Sequence, residues 1–223
     1  MTLAQRGRIV SIVGLALLAA VYVRALAFTP VERFQGEAQK IFYVHVPAAW
    51  SAMLAMGLVG CSSILYLIMK DPRYDRFAAA SAEVGTAFSL VMLTTGPLWA
   101  RPIWGTWWTW DARLTLTLFL FFLFLGYLLM RGAVSEPTLR ARYSAVLGIC
   151  GLVLLPFIHL SVYLFRTLHP QPIVLKPSAP SLPGNMLATL LFSFGVFTLL
   201  YIGFVTQSYA ISLQHEARAA ANA

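Results

Sequence analysis

The chain has 223 residues, of which 59% are hydrophobic and only 11% charged, with a formal net charge of +8. A soluble domain carries about a quarter charged residues, so this composition excludes a soluble globular protein of this size and makes the bilayer the solvent for the remaining apolar surface. The basic residues lie mostly in short gaps between apolar runs, where they set topology and contact anionic headgroups or an anionic ligand rather than nucleic acid.

Six apolar runs are long enough to cross a membrane, at roughly 9–28, 47–69, 79–99, 114–130, 144–165 and 186–211, against the ~20 residues a spanning helix needs. No run alternates as a β-barrel strand does, so the expected fold is all-α, a single polytopic membrane domain over 1–223. The first run follows Arg6 and Arg8, and Ala25-Leu26-Ala27 resembles a signal-peptidase site. Arg24 interrupts the region just before that site, and the run is expected to be retained as a spanning helix with Arg24 snorkelling to the interface. Between the first two runs, Val31, Phe34, Ala38, Ile41 and Phe42 are spaced like a helix lying on the membrane surface. The second and fourth connections are short and charged. The fifth carries Pro170, Pro172, Pro177, Pro180 and Pro183, which predict an extended, semi-rigid segment. Cys61 and Cys150 lie inside apolar runs and form no CxxC pair, so they read as small packing residues. No Gly-Lys pair occurs, so the chain has no Walker A sequence of its own.

Six spans put both termini on one side. That side carries nine of the Lys and Arg residues and the opposite side seven; the two compact connections on the terminal side hold three each. Both termini are therefore expected in the cytoplasm. The positive charge left on the outer side asks for an anionic ligand.

Five of the six tryptophans fall at Trp99, Trp104, Trp107, Trp108 and Trp110, at the end of the third run and in the connection predicted at about 100–113. An interfacial belt explains one or two of them. Five within twelve residues on one face point to an aromatic shelf for a large planar π ligand, with nearby cations for its anionic substituents. Asp111 and Arg113 stand at the start of the fourth run. Asp111 reads as a helix cap or as an orienter of the loop, and Arg113 as a snorkelling interfacial residue or as a ligand-binding cation.

The segment Trp104 to Thr115, WGTWWTWDARLT, closely resembles the tryptophan-rich "WWD" signature of membrane proteins that handle haem in c-type cytochrome assembly. Length and helix count match the small six-helix group, the heme exporter protein C (CcmC) family, and Lys40 to Trp50, KIFYVHVPAAW, is similar to the start of that family's second helix. The resemblance covers essentially the whole chain. It implies haem b as transient cargo, presented at the periplasmic face to a periplasmic haem chaperone. It also implies a small single-helix subunit and an ABC-type ATPase with its permease partner, all at the bacterial inner membrane. Such a protein is not expected to be an enzyme, since the sequence offers no nucleophile or acid–base pair. The alternative is a permease subunit that moves haem across the bilayer, which needs polar residues between spans; Glu83, His159 and a few hydroxyls are all the sequence supplies.

Four histidines remain to be assigned. His215 lies in the C-terminal tail. His159, within the fifth run, is a buried polar residue, a functional intramembrane group or a helix–helix hydrogen-bond partner. Pro47 favours the first turn of a helix, which puts His45 just before the second helix. Pro170 pushes its predecessor towards extended backbone, which puts His169 just beyond the fifth helix. Both then sit at one membrane face beside the tryptophan loop, as two axial ligands for one haem iron, and the resemblance implies the same pair. The expected site is therefore His45, His169, Trp104, Trp107, Trp108, Trp110, Asp111 and Arg113. Arg101, Arg33, Lys40, Arg166 and Lys176 are further candidate propionate partners behind Arg113.

Overall fold

A computed structural model of the chain describes residues 1–174, 176 and 178–222. Its elements are α1 (Leu3–Val23), α2 (Phe42–Met69), α3 (Pro72–Trp104), α4 (Ala112–Ala133), α5 (Pro137–Leu164) and α6 (Gly184–Ala221). A π turn over Arg24–Phe28 extends α1, and a 3-10 turn over Glu37–Ile41 leads into α2. All six helices are long and apolar enough to span a bilayer. Helices satisfy their own backbone, which lipid requires because it offers no water to replace a lost hydrogen bond. Even numbering puts both termini on one face and the α1–α2, α3–α4 and α5–α6 connections on the other.

Local chemistry sets the helix ends. Thr2 and Gln5 form a capping box at α1. Asp71 and Glu136 cap α3 and α5, each followed by a proline that needs no amide partner. Lys70 in the left-handed region makes the two-residue link between α2 and α3. Gly105, at φ 75°, stops α3. The third helix therefore runs five residues beyond the predicted 99, and the loop before α4 is Gly105–Asp111. The sixth helix also overruns its apolar stretch, because Arg76 on α3 pairs with Glu216 at 2.5 Å and lies over the Tyr209 ring.

In lipid, apolar burial between helices gains little over contact with acyl chains, so close packing and interhelical hydrogen bonds hold the bundle. Helix α2 is central, packing on α3, α5 and α6, while α1 lies outside against α6. The face Ala48, Ala52, Ala55 and Val59 is fully buried, as are Leu120, Phe124 and Ile158 opposite. A Cβ on Gly60 would lie 2.9 Å from the Gly148 carbonyl, so glycine is what lets α2 and α5 meet there. Ser81 and Tyr201 share a 2.7 Å hydrogen bond between α3 and α6, and Arg131 grips Asp75 with two bonds of 2.6 and 3.0 Å between α4 and α3.

Three expectations need correction. The first connection is not a surface helix: a bridge between Glu32 and Gly36 closes a turn, and helical backbone starts only at Glu37. Arg24 does not snorkel; its Nε donates to Thr189 Oγ1 on α6 at 3.0 Å. The fifth connection is not extended. The Ser181 amide donates back to the Ile173 carbonyl at 2.9 Å, and Ile173, Val174 and Leu182 pack on Phe42, Tyr43 and Leu190. Apolar residues between the prolines fold the segment over the helix ends; Pro177 lies outside the described residues.

Gly60→Val is expected to destabilise the bundle by about 1–3 kcal/mol through the α2–α5 clash. Gly132→Ala, where nothing lies within 4 Å of the added carbon, serves as the neutral comparison, both read as thermal unfolding midpoints in detergent.

Candidate functional site

The site forms where three helix ends meet the folded connections. His45 is in the first turn of α2, not before it as predicted. The 3-10 turn feeds directly into the helix, and Pro47 falls at its sixth residue. Pro47 has no N–H for the Tyr43 carbonyl; the Ser193 hydroxyl of α6 donates to that carbonyl instead. Beneath the turn, Lys40 is 7% exposed. Its Nζ donates to the Ala25 carbonyl at 2.7 Å and to the Thr29 carbonyl, tying this turn to the end of α1. Lys40 is thereby taken out of the set of free cations.

From this base the His45 ring reaches α3. Its Nδ1 lies 3.1 Å from Thr95 Oγ1, and its ring stands edge-on to Trp99 with centroids 5.8 Å apart. Trp99 in turn donates to Gln35 Oε1 at 3.0 Å.

His169 sits on the segment after α5, which ends at Leu164. The His169 amide donates to Thr167 Oγ1 at 3.0 Å, and its Nδ1 lies 2.9 Å from the Pro170 carbonyl. Burial, then the neighbouring Arg113 guanidinium, push the imidazole down to about 4, so it is neutral near pH 7.

Asp111 performs both roles considered for it. Its Oδ1 accepts from the Leu114 amide at 3.1 Å as the cap of α4, and its Oδ2 accepts from the Thr109 hydroxyl at 2.8 Å. The polar groups of Thr167 and Leu168, on the segment that carries His169, also face this carboxyl. Burial works to raise the carboxyl, but the neighbouring donors outweigh it and hold it below the usual carboxylate range. Arg113, half-buried, donates from Nη1 to the Ile158 carbonyl at 2.5 Å.

Two open cavities share this centre. One, of about 910 Å³, is lined by Trp99, Trp104, Trp107, Trp108 and Leu114 over a floor that includes Met92 and Leu93. The other, of about 1330 Å³, lies towards Glu32, Trp50, His159, Ile173 and Phe194. His45, Met53, Trp99, Arg113 and His169 line both, so the two are lobes of one opening with the histidines at its waist. Trp108 carries a buried indole N–H with no partner.

The structure thus gathers His45, His169, Trp104, Trp107, Trp108 and Arg113 around one space. Trp110 and Asp111 fall outside the lining. Trp110 is 76% exposed and meets Trp108 edge-to-face at 76°, so the loop is not one flat shelf. Among the other candidate cations, Arg101 donates to the Gly105 carbonyl, Lys176 to Ser181, and Arg33 and Arg166 are exposed. Sequence reasoning passed over Thr95, Gly96, Gln35, Trp50 and Met53. The first two share α3 with Trp99, and the i, i+4 spacing of Thr95 and Trp99 within the predicted 79–99 helix is the signal that could have found them.

Fold and site together define a polytopic membrane protein with an open cavity at one membrane face, lined by tryptophans and carrying two histidines. The heme exporter protein C family model matches residues 2–222, and the chain belongs to that family. It is 40% identical over 186 residues to heme exporter protein C of Bradyrhizobium diazoefficiens, covering 83% of this chain and 71% of the relative. It is 37% identical over 202 residues to heme exporter protein C of Haemophilus influenzae, covering 91% and 82%. Identity is 38% over 171 residues, or 77% and 72%, to a mitochondrial protein of Marchantia polymorpha named for cytochrome c biosynthesis and likeness to CcmC.

Asp111→Ala should cost about 1 kcal/mol through the lost cap, read as a lower thermal unfolding midpoint in detergent, with Asp111→Asn, which can still cap α4, staying close to the parent.

Proposed function

We propose that this chain binds haem b as transient cargo in the shared cavity and presents it at the periplasmic face during c-type cytochrome assembly. The observation that carries the reading is the convergence of His45 and His169, from separate elements, on one tryptophan-lined space. Neutral imidazoles are suitable iron ligands, and a bis-histidine iron has no open position for oxygen, which suits holding and handing on rather than oxygenase chemistry. Bound haem would supply the iron that these histidines ligate and the vinyl edge that a recipient takes.

The chain's own residues do the rest. Trp104, Trp107 and Trp108 provide apolar faces for the ring. Arg113 is the cation for a propionate, and the unpaired Trp108 indole N–H is a donor of the kind a carboxylate needs. Asp111 orients the loop against the His169 segment. Trp110, outside the cavity and exposed, is the tryptophan available to a periplasmic haem chaperone. Family membership supports the remaining assignments: an inner-membrane location with cytoplasmic termini, a small single-helix subunit, and an ABC-type ATPase with its permease partner. Chemistry on the haem vinyl belongs to the recipient, so this chain acts as a carrier and not as an enzyme. The permease alternative gains little, since Glu83 is engaged by the Ser208 hydroxyl at 2.5 Å.

Visible absorption spectra of the purified chain in mild detergent test the reading. The parent is expected to show a low-spin bis-histidine haem, lost or turned high-spin in both His45→Ala and His169→Ala; a parent that neither carries nor takes up haem overturns it. The tryptophans should divide. Trp104→Ala and Trp108→Ala are expected to weaken haem binding about two- to tenfold each. Trp110→Ala should leave haem binding unchanged and weaken chaperone capture in a pull-down.

A further inference from the structure

We infer that Thr95 is the positioning residue for His45: its hydroxyl holds the imidazole in the tautomer that turns a bare Nε2 towards the cavity. This rests on the reading of His45 as an iron ligand.

A threonine hydroxyl has a single hydrogen and two lone pairs. Thr95 Oγ1 lies 2.7 Å from the Val91 carbonyl one helical turn back, and that carbonyl can only accept. The hydroxyl hydrogen is therefore committed to α3's own backbone. What Thr95 offers His45 Nδ1, 3.1 Å away, is a lone pair. The Nδ1 atom must then carry the imidazole's proton, and in a neutral ring Nε2 is left unprotonated. Iron ligation requires such a nitrogen, and a partner on the other ring nitrogen raises its basicity and fixes the ring's plane.

The rest of the cradle restricts rotation. A Cβ on Gly96 would lie 3.1 Å from His45 Cε1 and 3.6 Å from Nδ1, so a side chain there would press on the ring. Trp99 closes a further side edge-on. The Thr95–Gly96–Trp99 stretch thus serves His45 much as the tryptophan loop serves the cavity, although it lies outside that motif. His169 reaches the same tautomer locally, because the acceptor at its Nδ1 is the carbonyl of the adjacent Pro170.

The test uses the full chain in detergent, titrated with ferric haem. Thr95→Val keeps the shape and removes the acceptor; Thr95→Ser keeps the acceptor. Thr95→Val is expected to bind haem about ten- to a hundredfold more weakly, with a smaller low-spin fraction and a raised midpoint potential, while Thr95→Ser stays close to the parent. Gly96→Ala, which displaces the ring, should also lose low-spin character. A Thr95→Val protein that matches the parent in affinity, spectrum and potential, while His45→Ala loses its low-spin haem, overturns the role of Thr95 and leaves the ligand reading intact. A parent-like spectrum in His45→Ala overturns the ligand reading and this inference with it. If Thr95→Val cannot be recovered from membranes, the other two variants decide: Thr95→Ser weakened as far as Gly96→Ala, or Gly96→Ala unchanged, also overturns it.

Discussion

The geometry at the membrane face that carries the site depends on one hydrogen bond, from the Ser193 hydroxyl of α6 to the Tyr43 carbonyl of α2. Pro47 removes the amide that would have taken that carbonyl. In lipid a stranded carbonyl costs several kcal/mol. The bond from a neighbouring helix lets α2 begin before its proline, so that His45 rides on a rigid turn instead of a loop. The Thr29 hydroxyl on the Arg24 carbonyl and Lys40 on the carbonyls of Ala25 and Thr29 repeat the device: polar side chains satisfy helix ends where chain direction changes, and the turns they fix carry the site.

Much of this was legible in the sequence. The six spans follow from hydropathy, because only long apolar helices solve the backbone problem in a bilayer. Trp104, Trp107, Trp108 and Arg113 were recognisable from their density on one connection, and His45 and His169 from the prolines beside them. Helix ends were harder to read. Arg101, Pro102 and the interfacial tryptophan cluster make residues 100–104 look like loop, yet it is Gly105 that stops the helix. Gln35, Thr95 and Gly96 were invisible because their meaning lies in which distant ring they touch. Lys40 looked like a free cation, and only the folded first connection shows that it is buried against carbonyls.

Polar groups concentrate at the two faces of the bundle, and the middle is held by small residues and shape. On the terminal face, Asp75 with Arg131 and Arg76 with Glu216 tie α3 to α4 and α6. On the other face, charge and hydrogen-bonding capacity turn inward around an opening. A scaffold tightly packed at glycine contacts such as Gly60 against Gly148 can hold an open, aromatic-lined face without collapsing into it.

The two histidines are mounted with unequal stiffness. His45 belongs to a helix wedged between α3 and α6. His169 belongs to a short irregular segment held by the Thr167 hydroxyl and its own neighbouring carbonyl. Such an opening behaves as a vice with one fixed jaw and one sprung jaw. Work done on it from outside moves the sprung side first, and because the tryptophan loop lies beside that side around the same opening, a protein pressing on the loop would have mechanical leverage over the grip.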